Sequence, residues 1–457
     1  MTGREKAGRL LAGLEQAGYA AYLVGGCVRD LLRGQPPHDY DIATSARPDE
    51  VKAALSFCRF ADTGLRHGTV TAIYQGSPFE ITTFRTEGPY SDHRRPDSVQ
   101  YTADLTADLA RRDFTVNAIA VDRRGAITDP FGGQSDLRRG VLRCVGDPVS
   151  RFSEDPLRIL RGVRFYSRLG FRVEAGTDRA MRTLCGLLGE ISCERVAAEL
   201  TGILLGAGVQ RALLDYPEIL FSVIPELRPC WRFDQQTPWH AYDVYEHTAR
   251  TVAAVPPQTE LRLAALFHDI AKPQCFTLNA KGNGSFPDHA PAGAQLTGTI
   301  LHRLHYPKAV IETVVFLVAH HSDRGELTDR LVRRWAARYG AGRLLMLAEL
   351  MLADDSSKAP AARGCSSGEA RVLLEKTKEL IASGEALRRE QLAVNGHDLL
   401  EAGFAAGPSM GQLLDWLYAR TAEGQLANEK AALLAAAREW AGAPEPSADD
   451  AGKAPEI

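Results

Sequence analysis

The residues best suited to chemistry lie close together near the N-terminus. Asp39 and Asp41 stand two apart in a segment with strand character, so both carboxylates project from one face. Two hard oxygen ligands on one face suit Mg²⁺ held between protein and nucleotide phosphates. Gly25 and Gly26 form an upstream turn whose N–H groups can approach an anion, with Arg29 near the same phosphates. Either feature alone is an ordinary turn or strand end, but together they predict a nucleotidyltransferase site.

A second polar set follows in the segment RRDFTVNA. Arg111 and Arg112 present adjacent guanidinium forks to phosphate or ribose. Asp113 and Asn117 lie four apart, which places them on one face of a helical turn. These side chains extend the predicted nucleotide site.

An arginine-rich helix is predicted from Ser153, which is a good N-cap residue. Residues 138–172 contain nine arginines and three acids, a local charge of +6. Such a stripe, which includes Arg161, is usually a solvated face, but arginine without lysine favours forked recognition of bases and phosphates. Asp155 and Arg158 are three apart, so an acceptor lies beside a donor fork. This pair complements the edge shared by cytosine and adenine and predicts selection of CTP and ATP.

Candidate ligands for another metal lie on apolar helices after residue 238. His247, the pair His268 and Asp269, and Asp323 fall on separate predicted helices and can converge on one divalent ion. Imidazole with carboxylate suits a transition ion such as Mn, Ni, Co or Fe. Single histidines at helix ends are more often structural, but the full set resembles the HD phosphohydrolase family. Such a domain would hydrolyse phosphoester or cyclic phosphate groups with metal-activated water.

Further residues border this set. His289, His320 and His321 would add a second metal, although flanking residues or loop solvation explain them equally well. Lys272 would bind a phosphate near the His-Asp pair.

The elements that must position these residues predict an α+β protein. An N-terminal helix and β-rich segments at 70–74 and 79–84 indicate a small mixed sheet in the head. Glu80 on this sheet is a third candidate carboxylate or a solvated strand-edge residue. The rest of the chain is predicted to be all-helical, with a polar linker at 354–370 and a disordered, Pro-rich C-terminus.

Bulk composition bounds the class of protein. A chain of 457 residues is too long for one ordinary core, and 45% hydrophobic with 24% charged residues is typical of a globular protein. The net charge of −3 means that nucleic acid must bind at local basic patches. Eight cysteines form no CxxC pair, so no zinc ribbon or disulfide framework is indicated. With no secretory signal and no apolar run of about 18 residues, we expect a cytoplasmic protein without membrane contact.

Six motifs occur in a fixed order along the chain. They are GGxVRD at 25–30, DxDIAT at 39–44, RRDFTxNA at 111–118, DPFGGxxDL at 129–137, EDxxR at 154–158 and ERVAAEL at 194–200. Together they resemble the class II tRNA nucleotidyltransferase and poly(A) polymerase family in its bacterial form with an HD domain. The resemblance implies that Asp39 and Asp41 bind the catalytic Mg²⁺. It also implies that Gly25, Gly26 and Arg29 contact the triphosphate.

The same resemblance implies roles for the later motifs. Arg111, Asp113 and Asn117 would shape the sugar and phosphate site. Asp155 and Arg158 match the motif that reads the nucleobase, which agrees with the prediction from their spacing.

The implied activity is template-independent addition and repair of the 3′-terminal CCA of tRNA from CTP and ATP, with release of pyrophosphate. The polar loop at 87–100 resembles the family's flexible loop, which is associated with adding the terminal A. The tRNA acceptor end would be recognised by shape along the neck and tail. The predicted domains are a catalytic head (1–145), a neck (146–237), an HD metal-binding domain (238–325), a tRNA-binding tail (326–440) and a disordered C-terminus (441–457).

Other functions stay open on the sequence alone. An A-only adding enzyme or poly(A) polymerase shares the same motifs. A second alternative is that the principal activity is HD-type phosphohydrolysis of RNA ends, with the head serving to bind RNA. A non-catalytic RNA-binding protein would be expected to lack one of the metal carboxylates, and both are present.

Overall fold

The N-terminal part of the chain is built on a mixed β-sheet. The computed structural model describes residues 1–61, 68–88, 98–237, 241–323, 327–358, 367–382 and 391–442. Its strands up to residue 128 are β1 Ala21–Val24, β2 Asp41–Thr44, β3 Arg59–Ala61, β4 Thr69–Tyr74, β5 Ser77–Thr83, β6 Arg85–Glu87, β7 Val99–Tyr101, β8 Ala120–Val121 and β9 Ile127–Thr128. Among the described residues, seven strands form the main sheet in the order β3-β4-β5-β2-β1-β8-β9, and β6 pairs with β7. The predicted small mixed sheet is confirmed.

The register of the central strands decides which side chains meet at the site. Strand β2 runs antiparallel to β1 and parallel to β5, so that Asp41 lies opposite Val24 on one side and Glu80 on the other. Asp39 precedes β2 rather than lying within it. The strand expected to carry both aspartates therefore begins at Asp41.

Short helices surround this sheet and supply its core. They are α1 Gly3–Gln16, α2 Gly26–Leu32, α3 Pro48–Ala54, α4 Leu105–Ala110 and α5 Gly133–Arg139, with a 3₁₀ turn at Thr115–Asn117. Apolar residues of α1, such as Leu10 and Leu14, pack in one cluster with Ile42 of β2 and Ile81 of β5. This burial fixes the sheet against α1 and so holds the ends of β1 and β2 in place.

The arginine-rich helix predicted from Ser153 is two helices. The first, α6 Pro148–Glu154, is capped by Asp147, and the second, α7 Leu157–Leu169, follows a break at Asp155. Pro156 explains the break, because it lacks an N–H donor and disfavours the helical conformation at the residue before it. Asp155 is accordingly extended, with φ −139° and ψ 95°.

The remaining elements before residue 232 are mainly helical. They are β10 Val141–Leu142, β11 Arg172–Val173, α8 Ala175–Leu184, α9 Cys193–Leu204, α10 Val209–Asp215 and α11 Pro217–Val223, with 3₁₀ helices at Cys185–Glu190 and Pro225–Cys230. Strands β10 and β11 pair in parallel. The neck is thus not entirely helical, because Arg172 and Val173 add a short strand to the end of the head.

The C-terminal part is mainly helical. Its elements are α12 Val244–Ala254, α13 Thr259–Phe267, β12 Thr277–Leu278, β13 Gly284–Ser285, α14 His289–Arg303, α15 Lys308–His320, α16 Asp329–Tyr339, α17 Ala341–Ser356, α18 Ser367–Ala382, α19 Gly396–Glu401, α20 Pro408–Ala422 and α21 Lys430–Gly442. The strand pair β12–β13 was not expected. Both ends of the predicted polar linker at 354–370 are helical, because α17 extends through Asp354 and Asp355 to Ser356 and α18 begins at Ser367.

The chain divides into two compact units. The first comprises Met1–Arg232, Pro257–Arg262 and Gly298–Ile311, and the second comprises Phe233–Pro256, Leu263–Thr297 and Glu312–Ile457. The finer division into five domains stays a prediction. Of the predicted polar loop at 87–100 and the predicted disordered C-terminus at 441–457, residues 89–97 and 443–457 lie outside the described residues. The described ends of these segments are in regular structure, because β6 ends at Glu87, β7 begins at Val99 and α21 continues to Gly442. Among the helices that the structure describes, none combines the length and apolar character needed to cross a membrane.

Candidate active site and a buried histidine–carboxylate cluster

A glycine turn brings the backbone of α2 against the aspartates of β2. Gly25 follows β1 with φ of 73°, a conformation that side-chain-bearing residues rarely adopt. A Cβ at this position would lie 3.3 Å from Nη1 of Arg112 and 3.4 Å from Oδ2 of Asp41. The glycine therefore permits a carboxylate and a guanidinium to approach the turn from which α2 begins.

Three carboxylates crowd the end of this sheet. Asp41 is flanked by Glu80 in register on β5 and by Asp39 just upstream. Burial raises the pKa of Asp41 to about 6, and the negative charges of Asp39 and Glu80 add to the shift. A divalent cation would relieve this crowding, and oxygen-only ligands suit Mg²⁺. The donor set thus fits the metal that the sequence predicted, and Glu80 is positioned as the third carboxylate.

A buried aspartate holds both arginines of the RRDF motif. Asp108, on α4, is fully buried and accepts from Nε and Nη2 of Arg111 at 3.1 and 2.8 Å. Its other oxygen accepts from Arg112 at 3.2 Å. Arg111 also donates to Glu87 at 3.1 Å, at the end of β6. Sequence reasoning missed Asp108, although its spacing of three and four residues from the two arginines is a helical signal.

A continuous polar chain links the glycine turn to helix α7. Arg29 donates from Nη1 to Oδ1 of Asn117 at 3.0 Å, and Asn117 donates from Nδ2 to Oδ1 of Asp113 at 3.1 Å. Arg161 on α7 donates to Oδ2 of Asp113 at 2.8 Å. Although burial favours the neutral acid, Arg161 holds the pKa of Asp113 below its ordinary value. Four predicted residues, from two motifs and from the arginine-rich stripe, are thus brought together, with the arginines Arg29 and Arg161 both near the ring of Phe165.

Asp155 and Arg158, expected side by side on one helical face, are each held by another charged partner in the structure. The helix break turns the Asp155 carboxylate toward Arg195 of α9, which donates from Nη2 at 2.8 Å. Arg158, only 7% exposed, donates to Glu154 at 2.7 Å and to the carbonyl of Arg111 at 3.2 Å. The spacing rule that placed them on one face requires an unbroken helix, which Pro156 prevents.

A separate buried cluster of histidines and acids forms in the second unit. His247 comes from α12, His268 and Asp269 follow α13, and Asp354 comes from α17. Nε2 of His247 lies 2.9 Å from Oδ1 of Asp354 and 3.3 Å from Nε2 of His268. The potential ligand atoms of all four residues lie within 4.8 Å of one another, and all four are buried.

Asp323 is not the acid that completes this cluster. Its Oδ2 lies 2.7 Å from Nδ1 of His320, and that histidine ring packs near Phe316 and Trp335. Asp354 completes the cluster instead. In the sequence, Asp354 stands at the start of a polar segment that predicts a linker, so nothing there marks it as a metal ligand. The helical extension of α17 is what carries it into the apolar interior.

The carboxylates of the cluster are held ionised by their neighbours. Burial alone would raise the pKa of Asp269, but the charges of His268 and Lys272 more than offset burial and hold that pKa well below its ordinary value. Lys272 Nζ lies 2.7 Å from Oδ2 of Asp269 and donates to Gln235 at 3.0 Å. Among the described residues, none gives that Oδ2 a hydrogen bond of ordinary geometry. An ionised, buried oxygen of this kind fits a metal ligand.

A second group of potential ligands shares Asp269. It adds His289, at the start of α14, and His321, just after α15, with their Nε2 atoms 3.3 Å apart. Burial lowers the pKa of His289 to about 4.

Two regions of the chain, one in the head and one in the C-terminal part, match known protein families. Residues 21–143 match the family described as the poly(A) polymerase head domain, and residues 294–437 match tRNA nucleotidyltransferase domain 2. The chain is 35% identical to the CCA-adding enzyme of Levilactobacillus brevis over 435 residues, 94% of this chain and 97% of that enzyme. It is 36% identical to the CCA-adding enzyme of Limosilactobacillus fermentum over 438 residues, 95% of this chain and 96% of that enzyme.

A solved structure extends the similarity to the whole fold. The Bacillus stearothermophilus CCA-adding enzyme in complex with CTP aligns with a TM-score of 0.67 at 31% identity. The alignment covers 97% of this chain and 98% of that one.

Proposed function

This chain belongs to the CCA-adding enzyme family, and from that membership we propose that it builds and repairs the 3′-terminal CCA of tRNA without a nucleic-acid template. Its substrates are CTP, ATP and the tRNA acceptor end, and pyrophosphate is released. The observation that carries the proposal is the crowding of Asp41, Asp39 and Glu80 beside the Gly25 turn. The same assignment makes the region to residue 145 the catalytic head, followed by neck, HD and tRNA-binding regions, in a cytoplasmic enzyme.

Different residues of the head have different roles in nucleotidyl transfer. Asp39 and Asp41 would hold Mg²⁺, which supplies Lewis acidity and neutralises phosphate charge. Gly25 and Gly26 offer backbone N–H groups to the triphosphate, and Arg29 adds a guanidinium to it. The 3′-hydroxyl of tRNA attacks the α-phosphate, and the bond to pyrophosphate breaks in line.

The remaining nucleotide-binding residues act from the polar chain and from α7. Arg111 binds phosphate, and Asp113 and Asn117 set the sugar site together with Arg161. Base selection falls to Asp155, which accepts from the exocyclic amine of cytosine or adenine. Arg158 is paired with Glu154 in this structure, so its part in base reading requires an exchange of that partner for the base.

The decisive experiment uses tRNA that ends before CCA. With Mg²⁺ we expect two additions from CTP alone and a third from ATP only after those two. Asp41→Asn should abolish incorporation, because it removes a buried metal carboxylate. Asp49→Asn is the matched control, since Asp49 is an exposed acid in the first turn of α3. Addition of A alone to tRNA that already ends in CC would instead identify an A-adding or poly(A)-type enzyme.

The buried cluster supports a second function. Four ligand atoms of His247, His268, Asp269 and Asp354 converge in the second unit, and imidazole with carboxylate suits Mn, Ni, Co or Fe. An ion held there supplies the Lewis acidity for hydrolysis of phosphoesters. We propose that this HD-type site hydrolyses phosphate groups at RNA ends.

Its test is hydrolysis of RNA that ends in a 2′,3′-cyclic phosphate, with added Ni²⁺ or Mn²⁺. His268→Gln should abolish hydrolysis, because it removes a ligand while keeping a polar side chain. His302→Gln, at an exposed position in the last turn of α14, should retain it. Equal activity in both variants would contradict the proposed site.

A further inference from the structure

A group of arginines surrounds the turn that ends α7 in the first compact unit. Gly170 caps this helix with φ of 70°, and β11 begins two residues later. Three of the arginines are exposed and one is half-buried, and the group, here called the α7-turn arginines, consists of Arg33, Arg168, Arg172 and Arg211. They come from the end of α2, from α7, from β11 and from α10, so positive charge from four elements gathers at one turn.

Contacts with this turn hold two of the side chains in place. Nη2 of Arg211 donates to the carbonyl oxygen of Gly170 at 3.3 Å, and its Cζ lies 4.3 Å from the centre of the Tyr166 ring. Cζ of Arg33 lies 5.6 Å from the centre of the Phe171 ring. A guanidinium stacked on an aromatic ring keeps its N–H edges directed outward, where phosphate oxygens can accept from them. These two arginines are therefore oriented before any ligand binds.

Among the residues that the structure describes, no carboxylate forms an ion pair with the α7-turn arginines. The acids nearest to them in sequence already accept from other groups. They are Asp30, held by Arg29, Asp215, held by the hydroxyl of Tyr166, and Glu174, held by the N–H of Thr177. Arginines of the same stripe that lie nearer the nucleotide site are paired, as Arg158 is with Glu154. The α7-turn arginines thus form a patch of uncompensated positive charge.

This patch lies at the far ends of the helices that begin at the nucleotide site. Helix α2 begins at Gly26, and Arg33 follows its last residue, about 10 Å along the helix axis. Helix α7 begins at Leu157, beside the residues assigned to base selection, and Arg168 lies about 17 Å along that axis. The α7-turn arginines therefore serve a second anionic ligand or a distant part of a large one.

We propose that the α7-turn arginines bind backbone phosphates of the tRNA at a distance from its 3′ end. The identity of this RNA rests on the proposed CCA-adding function. The chain has a net charge of −3, so a nucleic acid must bind at local basic patches such as this one. Each guanidinium fork can pair with a phosphate in bidentate geometry. A small anion would engage one fork, whereas an RNA strand offers a phosphate to each of several neighbouring forks.

The test measures how the affinity of the full-length chain for tRNA depends on salt. Each phosphate contact that is lost lowers the slope of log K against log salt by about 0.7–0.9. The double variant Arg168→Gln/Arg172→Gln should thus lower that slope by about 1.4–1.8 for tRNA that ends before CCA. The control Arg182→Gln/Arg228→Gln removes the same charge from exposed arginines that are already paired with carboxylates, so it should keep the wild-type slope.

Incorporation assays separate this proposal from the one on which it rests. In Arg168→Gln/Arg172→Gln, the KM for tRNA should rise several-fold, with kcat and the KM for CTP as in wild type, because the nucleotide site is distant. An unchanged salt slope with intact CTP incorporation would overturn RNA binding at the α7 turn and leave the activity standing. An equal fall in the control would attribute the effect to overall charge and would also overturn it.

A lowered slope in a chain that incorporates no nucleotide would retain the RNA-binding patch and overturn the proposed activity. Thermal unfolding of both double variants checks that each one folds.

Discussion

At the scale of single residues, Gly25 carries both a backbone and a packing constraint. Its φ of 73° and the approach of Arg112 and Asp41 both oppose a side chain. Gly34 provides a matched comparison, because its φ is 71° and nothing among the described residues lies within 4 Å of a Cβ there. Comparing substitutions at Gly25 and Gly34 therefore separates the effect of backbone strain from the effect of a side chain at the site.

We expect Gly25→Ala and Gly34→Ala each to lower the free energy of unfolding by about 1–3 kcal/mol through backbone strain. Gly25→Ala should also reduce CTP incorporation by about 10²-fold, because displacement of the metal carboxylate misaligns the reacting groups. Denaturant unfolding and single-turnover incorporation measure the two effects. Equal activity in both variants would show that the Gly25 turn has no role in the site.

Asp108 accepts hydrogen bonds from both arginines of the RRDF motif, Arg111 and Arg112. Removing its charge would take from Arg112 the carboxylate to which it donates and would leave Arg111 with Glu87 alone. We expect Asp108→Asn to cost about 3 kcal/mol of unfolding free energy, the cost of breaking a buried ion pair. Glu15→Gln, which removes an ion pair to Arg123 with both side chains at least one-third exposed, should cost less than about 1 kcal/mol.

The effect of Asp108→Asn should depend on pH. Burial alone would raise the pKa of Asp108, but Arg111 and Arg112 lower it below the ordinary value. A carboxylate with a lowered pKa in the folded state stabilises fully above its unfolded pKa of about 3.9 and loses that contribution as the pH falls further. The difference in unfolding free energy between Asp108→Asn and wild type should thus be constant near neutral pH and disappear in acid. Urea unfolding at several pH values measures it, and a difference that persists in acid would point to packing instead.

At the scale of elements, helix α5 is fitted against the 3₁₀ turn that carries Asn117. A Cβ on Gly133 would lie 2.1 Å from the carbonyl oxygen of Thr115 and 2.8 Å from Ile119. The glycine at the start of α5 thus permits the close contact that holds this turn. Because Asn117 links Arg29 to Asp113, a shift of the turn would also displace these hydrogen-bonded side chains.

Gly133→Ala should therefore lower the free energy of unfolding by about 1–3 kcal/mol through overpacking against rigid backbone. It should also raise the KM for CTP, because Asn117 moves with the turn. Gly186→Ala is the control, since nothing among the described residues lies within 4 Å of its Cβ, and its stability should change by less than about 0.5 kcal/mol. Thermal unfolding and steady-state kinetics compare the two variants. An unchanged KM for CTP in Gly133→Ala would show that the packing of α5 does not affect the nucleotide site.

At the scale of the whole molecule, the two candidate sites draw on different compact units. The carboxylates of the head lie within Met1–Arg232, whereas every residue of the histidine cluster lies in the second unit. Substitutions at independent sites that share no partners usually add in their effects on stability within about 0.5 kcal/mol. His247→Gln should thus abolish phosphohydrolysis and leave CTP incorporation within about twofold of wild type. Parallel assays on this variant and on Asp41→Asn test the separation, and loss of both activities in either variant would contradict it.

Local sequence determined the parts of this protein whose chemistry depends on near neighbours. The turn at Gly25 and Gly26, the pair His268 and Asp269 and the α+β division follow from residue types and short spacings, because backbone conformation responds to adjacent residues. The sheet was predictable for the same reason. The helix break at Asp155 was also encoded, since Pro156 disfavours the helical conformation at the residue before it.

Tertiary structure alone decided which distant side chains meet. His247 and Asp354 are 107 residues apart in sequence, and the sequence pattern predicted Asp323 instead of Asp354. The choice between them depends on how α17 packs against α12, which is determined by apolar burial along both helices and not by the acids themselves. The partner of Asp155 was decided in the same way, because α9 brings Arg195 to it from 40 residues away. Sequence thus supplied the ligands and charges, and packing selected which of them form a site.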